Sequence, residues 1–242
     1  MDVTKEGLSS YSVWRHVLSS TKEVAIKEEE YKKIARADDI RREIANIEEK
    51  FFVICENYRE LEEFVFSTNV KNMLYSRESA SAWFSIGTEF GRLTLSMLAS
   101  SRLYIDTVET HAKKISAGDL SKADIKAVIS GMYDKSFAYR AVEAIRNHAQ
   151  HDAFPVKSAS YGQTWDDTGE NHTFKSEFFF EVSSLERDTK FKAETMKEIK
   201  DMGGKIELLG IIRNYFCDMC EMHLAFRGMF ESYKNESSSI IG

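Results

Sequence analysis

The chain has 242 residues, of which 43% are hydrophobic and one is proline, and its formal net charge is −6. That apolar content supports a sizeable core and excludes wholesale disorder. The acidic balance excludes a protein that coats nucleic acid through a general basic surplus. A single proline among many Glu, Lys, Ala and Leu residues points to a mainly α fold.

The stretch from Met1 to Val13 is polar and has no apolar h-region. Lys22 to about Phe66 reads as a long, charged helical pattern, one helix or two, with Ile26, Ile34, Ile40, Ile44, Ile47, Phe51 and Ile54 at helix-like spacings. Its register drifts, so the pattern suits an amphipathic helix packed on its own domain better than a coiled-coil arm. Ser67 to Ser76 reads as a connection. Ser79 to about Ile115 is again helical, with a broad apolar face including Trp83, Phe84, Phe90 and Met97. Gly87 and Gly91, four apart, allow close helix packing.

After a turn at 116–120, Ser121-Lys122-Ala123-Asp124 resembles a capping box and opens a helix to about Asp134. The next helix runs from Phe137 to Asp152 and is ended by Pro155. Between Val156 and Val182 the character changes: small polar residues, a turn-like Asp166-Asp167-Thr168-Gly169, then Phe174, Phe178, Phe179 and Phe180 predict an inserted β-hairpin. Ser183 to Glu186 is a second capping pattern, opening a helix to about Met202. Gly203-Gly204 breaks it, a last helix spans Lys205 to Lys234, and 236–242 is expected to fray.

No apolar run approaches the roughly 20 residues of a membrane span, so no membrane partner is expected. Three cysteines, Cys55, Cys217 and Cys220, predict reduced thiols in a cytoplasm. Cys217-x2-Cys220 with His223 has zinc-like spacing, but it lies in an apolar helix with no second pair. His148 and His151 at i and i+3 lack an obvious third ligand. Gly203-Gly204-Lys205 fails the phosphate-loop pattern, because Ile199 and Ile206 stand where it needs glycine and Ser/Thr. Neither metal nor cofactor is expected.

The chemistry concentrates in Arg146-Asn147-His148-Ala149-Gln150-His151. On a helical wheel Phe137, Ala141, Val142, Ile145 and Ala149 form the core stripe, and Arg146, Asn147, Gln150 and His151 fall away from it. Asn147 and His151 stack four apart, so the amide can orient the imidazole. Arg146 sits roughly 140° from His151, so the two bracket an exposed face. Tyr139 falls on the polar side near Arg146, and with Arg140 and Gln150 it is a candidate substrate contact. Tyr161, Trp165 and Phe178 to Phe180 are candidates for base stacking, or a set that covers the core. Between His111 and Lys157, eight Lys/Arg stand against five acids, a sign that suits a phosphate-bearing ligand. An imidazole that moves the proton of a ribose 2′-OH, and a guanidinium that holds the phosphate, suit metal-free RNA cleavage. The same residues also read as ordinary surface residues of an amphipathic helix.

Arg-x4-His with Asn directly after the Arg resembles the R-x4–6-H motif of the HEPN superfamily. The flank YDKSFAYRAVEAIRNHAQHDAFPV, preceded by LSMLASSRLYIDTV, looks similar as well. The resemblance is concentrated in residues 133–156 and reaches at most 79–235. It implies a HEPN-like helical bundle over 76–235 with one inserted β-hairpin, residues 1–75 being a helical extension without counterpart. It implies a homodimer with a composite active site, in which Arg146, His151 and Asn147 act on RNA. The implied role is a toxin or antiviral defence effector, with an antitoxin or regulatory partner. The family also includes non-catalytic members, so the alternative is a helical module that binds a nucleotide or a protein through the motif face.

Overall fold

The computed structural model describes residues 11–17, 20–75, 80–151, 156, 158–166, 168–185 and 193–241. Pro155 and Glu186, the last residue of the predicted cap at 183–186, lie outside the described residues. The described elements run β1 (Tyr11–Val17), β2 (Ser20–Ile26), α1 (Glu28–Tyr75), α2 (Ala80–Ile115), α3 (Lys122–Lys135), α4 (Phe137–His151), β3 (Ser158–Trp165), β4 (His172–Glu181), α5 (Val182–Leu185), α6 (Ala193–Asp201), β5 (Lys205–Glu207) and α7 (Leu208–Ile241). The fold is mainly α, with small antiparallel sheets inserted.

α1 is unbroken for 48 residues, roughly 70 Å, so no connection interrupts it after Phe66. Its inward residues are Ala37, Ile40, Ile44, Ile47, Phe51, Ile54, Tyr58, Leu61, Val65, Thr68 and Asn72. They alternate at steps of three and four without a fault, which is a heptad seam. The apparent drift came from counting Ile26, which belongs to β2, and from passing over Ala37, a small buried member of the seam between Ile34 and Ile40. α2 carries a matching series, Phe90, Thr94, Met97, Ser101, Tyr104, Val108, His111 and Ile115, all buried.

The two seams face each other antiparallel. Asn57 donates to Ser100 Oγ (2.9 Å), His111 Nδ1 meets Glu43 (2.6 Å), and Arg36 donates to the carbonyls of Lys114 and Ile115. α7 runs antiparallel along another flank of α1. Arg213 grips Glu62, Tyr58 stacks on Phe216 at 3.9 Å, and Phe51 stacks on His223 at 3.8 Å. α1 therefore shares one hydrophobic core with α2, α4 and α7 and is packed as a member of the bundle. Each fully buried Ile, Leu or Phe of that core contributes about 1.5–3 kcal/mol of transfer free energy.

The predicted capping box forms. Ser121 Oγ accepts from Asp124 N, and the Asp124 carboxylate accepts from Ser121 N at 2.8 Å. Ser121→Ala is expected to cost about 1 kcal/mol, read as a lower urea midpoint at unchanged m value.

The hairpin also forms, with Ser158 opposite Phe179 and Trp165 opposite His172, and β5 adds a third strand through Phe180 opposite Ile206. Where the sequence suggested the start of a helix, Lys205–Glu207 is therefore a strand. The Glu207 carboxylate then accepts from Leu209 N and Gly210 N and opens α7. β4 alternates cleanly: Ser176, Phe178, Phe180 face inward, and Phe178 stacks on Phe90 of α2 at 3.8 Å. At Gly87 an added Cβ would sit 3.6 Å from Val156, an ordinary van der Waals contact, so the segment after α4 packs against this turn of α2 without requiring a glycine there.

Two further differences concern the ends. β1 and β2 form a separate hairpin that includes Ile26, which the helical reading had claimed. Its Val13, Trp14 and Val24 are exposed, so no one-sided burial marked it as a strand. α7 stays helical to Ile241 instead of fraying after Lys234, and Ser237 is buried within it. Among the described residues no helix is long and apolar enough to cross a membrane.

Candidate functional site

α4 starts behind Ser136, whose Oγ accepts from Tyr139 N at 3.2 Å and donates to Asp218 of α7. The helix is enclosed on more sides than a single stripe would allow. Ala138, Tyr139, Ala141, Val142, Ala144, Ile145 and His148 are all buried, because α7, α2, α6 and β4 each take a sector of it.

That enclosure corrects two expected substrate contacts. Tyr139 is 3% exposed and packs on Tyr215 at 5.6 Å, so it lines the core and not a cleft. Burial raises its phenol well above the usual range. The wheel of one helix could not show that Tyr215 of α7 covers the sector beside the polar face. Arg140 is committed to structure. Its Nε and Nη2 donate to Glu198 of α6 at 3.1 and 2.7 Å, and Nη1 donates to the carbonyls of Tyr133 and Asp134. It staples α4 to α6 and to the end of α3.

Arg146 and Asn147 sit side by side. Arg146 Nη2 donates to Asn147 Oδ1 at 2.9 Å and lies 3.0 Å from Glu143 Oε2. Asn147's oxygen is thus engaged by the guanidinium, whereas the sequence reading assigned the amide to His151. The Arg146 and Glu143 side chains are only 11% and 17% exposed. Arg146 Nε is buried and has no hydrogen-bond partner among the described residues. Arg102 of α2 brings Nη1 to 3.8 Å from the same Glu143 oxygen, and its Nε donates to Asp106 at 2.8 Å. Burial pushes the Glu143 carboxyl up from its ordinary value, outweighing the pull of Arg146 and Arg102. α4 extends through Gln150 and ends at His151; the side chains of both lie outside the described residues.

Glu143, Arg102 and Asp106 were not among the sequence candidates. Glu143 left a faint signal, an acid three residues before Arg146 on one helix face. Arg102 and Asp106, also four apart, lay within the α2 segment quoted for its similarity, but nothing local tied them to α4.

The other constellations resolve as packing. His148 is wholly buried, with its ring edge-on to Phe180 at 5.5 Å, so it serves the core. His223 puts Nδ1 2.8 Å from Tyr104 Oη and Nε2 3.4 Å from Glu48, and burial lowers its pKa. Cys217 is exposed and Cys220 half-buried. Among the described residues no group of three His, Cys, Asp or Glu is gathered as metal ligands. Of the candidate stacking aromatics, Phe178 and Phe180 are buried, and Trp165 is exposed near the hairpin tip.

The class these observations define is a mainly-α bundle built on three long helices, with a paired Arg–Asn and a buried carboxylate near the end of its enclosed helix. No family model matches the chain, and no curated protein or solved structure matches it either.

Proposed function

We propose that the chain is a metal-independent endoribonuclease of HEPN type, acting as a homodimer with a composite site in the cytoplasm. The observation that carries this reading is Arg146 hydrogen-bonded to Asn147 on the helix that His151 ends, with the Arg and His five residues apart, roughly 7.5 Å along the axis. In the reaction the ribose 2′-oxygen attacks phosphorus as its proton passes to a neutral imidazole. The P–O5′ bond breaks and the 5′-oxygen takes a proton from an imidazolium. The products are a 2′,3′-cyclic phosphate and a 5′-OH. Arg146 neutralises the charge that grows on the equatorial oxygens. Two copies of α4 across a two-fold axis supply one imidazole as base and one as acid. The biological role is a toxin or antiviral effector restrained by an antitoxin or regulatory partner.

One observation favours a second reading. The Arg146–Glu143 pair is largely buried and serves a fold equally well, as in a non-catalytic module that binds a nucleotide or protein partner through this face. Induced expression of wild type beside Arg146→Ala, with sequencing of RNA ends, separates the two. Growth arrest with new 2′,3′-cyclic phosphate ends, lost in the variant, supports the nuclease. Intact RNA under every condition that makes the wild type toxic would sink it.

A further inference from the structure

We infer that Glu143 is an internal competitor for Arg146: its carboxylate occupies the guanidinium where a phosphodiester binds, and Arg102 receives that carboxylate when RNA displaces it. The inference rests on the reading of Arg146 as the phosphate-binding residue and adds how that residue is held in reserve.

Three of the protein's other arginines supply a contrast. Arg92, Arg140 and Arg213 each grip a carboxylate with both Nε and Nη2: Glu89 at 2.9 and 2.6 Å, Glu198 at 3.1 and 2.7 Å, Glu62 at 2.7 and 2.7 Å. This side-on fork is the strong form of guanidinium recognition. Arg146 departs from it. Its nearest approach to Glu143 is through Nη2, the same Nη2 donates to Asn147, and Nε is left buried without a hydrogen-bond partner among the described residues. A buried N–H without a partner is costly, so the resting pair is an incomplete one. Two non-bridging phosphate oxygens span Nε and Nη2 together and complete it. A phosphate is therefore a better ligand for this guanidinium than the carboxylate that holds it.

Glu143 has somewhere to go. Arg102 is 44% exposed, and Asp106 holds its Nε and Nη2 at 2.8 and 2.7 Å. Its Nη1 points to Glu143 Oε2 at 3.8 Å, about 1 Å beyond a hydrogen bond. A small rotation of Glu143 transfers the carboxylate from one guanidinium to the other, so the ionised group is never left unpaired in a buried place. Burial already holds that carboxyl above its ordinary value, which marks it as poorly solvated where it stands. Glu143 and Arg102 are positioning residues in this scheme, since both act through Arg146.

The test is binding of a 2′-O-methyl RNA oligonucleotide, which lacks the attacking hydroxyl, and separately of inorganic pyrophosphate, to the full chain. Glu143→Gln is expected to bind the oligonucleotide about tenfold more tightly than wild type, because the competitor is gone. Arg102→Ala is expected to weaken binding several-fold in wild type and to change nothing in the Glu143→Gln background, a coupling that a purely structural role does not produce. Should Glu143→Gln fail to fold, Glu143→Asp withdraws the carboxylate by one methylene and must tighten binding by a smaller factor. A folded Glu143→Gln that binds neither probe more tightly overturns the inference, and the nuclease reading survives if that wild type still cleaves RNA. An Arg102→Ala effect equal in both backgrounds also overturns it, since Arg102 then touches the ligand directly. Tighter pyrophosphate binding by Glu143→Gln with no oligonucleotide binding by any variant upholds the competitor and removes RNA as substrate. No binding of either probe by any variant removes both.

Discussion

His151→Ala is expected to lower RNA cleavage by about 10²–10⁴-fold, the usual share of a positioned proton-transfer group, at an unchanged melting temperature. The two halves of this expectation rest on different links. The chemical half follows from the imidazole, the side chain whose ordinary pKa lies closest to neutrality and whose two forms serve as base and acid. The folding half follows from position. His151 is the last residue of α4, the buried residues nearest it, Ile145 and His148, belong to earlier turns, and alanine is the better helix former. Arg146→Ala is expected to abolish cleavage to a similar degree, and the double variant to be little worse than either single one, because the two groups act as a unit. Mixing the two inactive variants gives heterodimers with one Arg146 and one His151 left around a shared cleft. Activity of the mixture above both parents marks a composite site. Full cleavage by a folded His151→Ala protein would end the assignment of His151 as the proton-transfer group, and with it the HEPN-type mechanism.

How much was legible in the sequence divides along physical lines. Local signals were read correctly where a few residues decide the structure alone: the box at Ser121 and Asp124, the break at Gly203, the inserted hairpin with its run of phenylalanines. Gly203 has φ 107°, which favours glycine and explains why that break was unambiguous. The heptad of α1 was misread as drifting because Ile26 belongs to β2 and the small Ala37 holds a seam position that a count of large apolar residues passes over; Thr68 and Asn72 carry the seam on beyond Phe66, where the expected helix stopped. β1 and β2 were missed because a hairpin with exposed Val13, Trp14 and Val24 has no face pattern to find. At the site, residues adjacent in sequence were legible, and those that tertiary packing brings together were not. Arg146 and Asn147 stand next to each other, whereas Tyr139 changed sides because of Tyr215, 76 positions away, and Arg140 because of Glu198. A helix that buries several sectors at once defeats a wheel drawn for one. The i,i+3 spacing hinted at the pair of Glu143 with Arg146, but the approach of Arg102 to the same carboxylate depends on α2 lying beside α4, which no spacing within either helix encodes.

Phe180→Ala is expected to destabilise the protein by about 3–5 kcal/mol and to reduce cleavage by more than the loss of folded protein accounts for. Phe180 is wholly buried on the inner face of β4, opposite Ile206 of β5, and its ring forms the wall against which His148 packs edge-on. His148 lies one residue beyond Asn147 and three before His151, so the wall supports the turns of α4 that carry the motif. Truncation removes the aromatic contacts of β4 with α4 and leaves a cavity that neither Phe178, already stacked on Phe90, nor the three-residue β5 can fill. The imidazole of His148 then faces a void large enough to admit water, which weakens the anchoring of α4 after Ile145. Two measurements separate this from general destabilisation. Hydrogen exchange of the amides of 144–148 is expected to quicken more than that of amides in the middle of α1. Phe180→Leu, which keeps much of the volume, is expected to cost well under half as much and to retain most cleavage per folded molecule. Uniform quickening across α1 and α4, with cleavage tracking the folded fraction alone, would mean that the hairpin stabilises the bundle as a whole and gives the motif helix no support of its own.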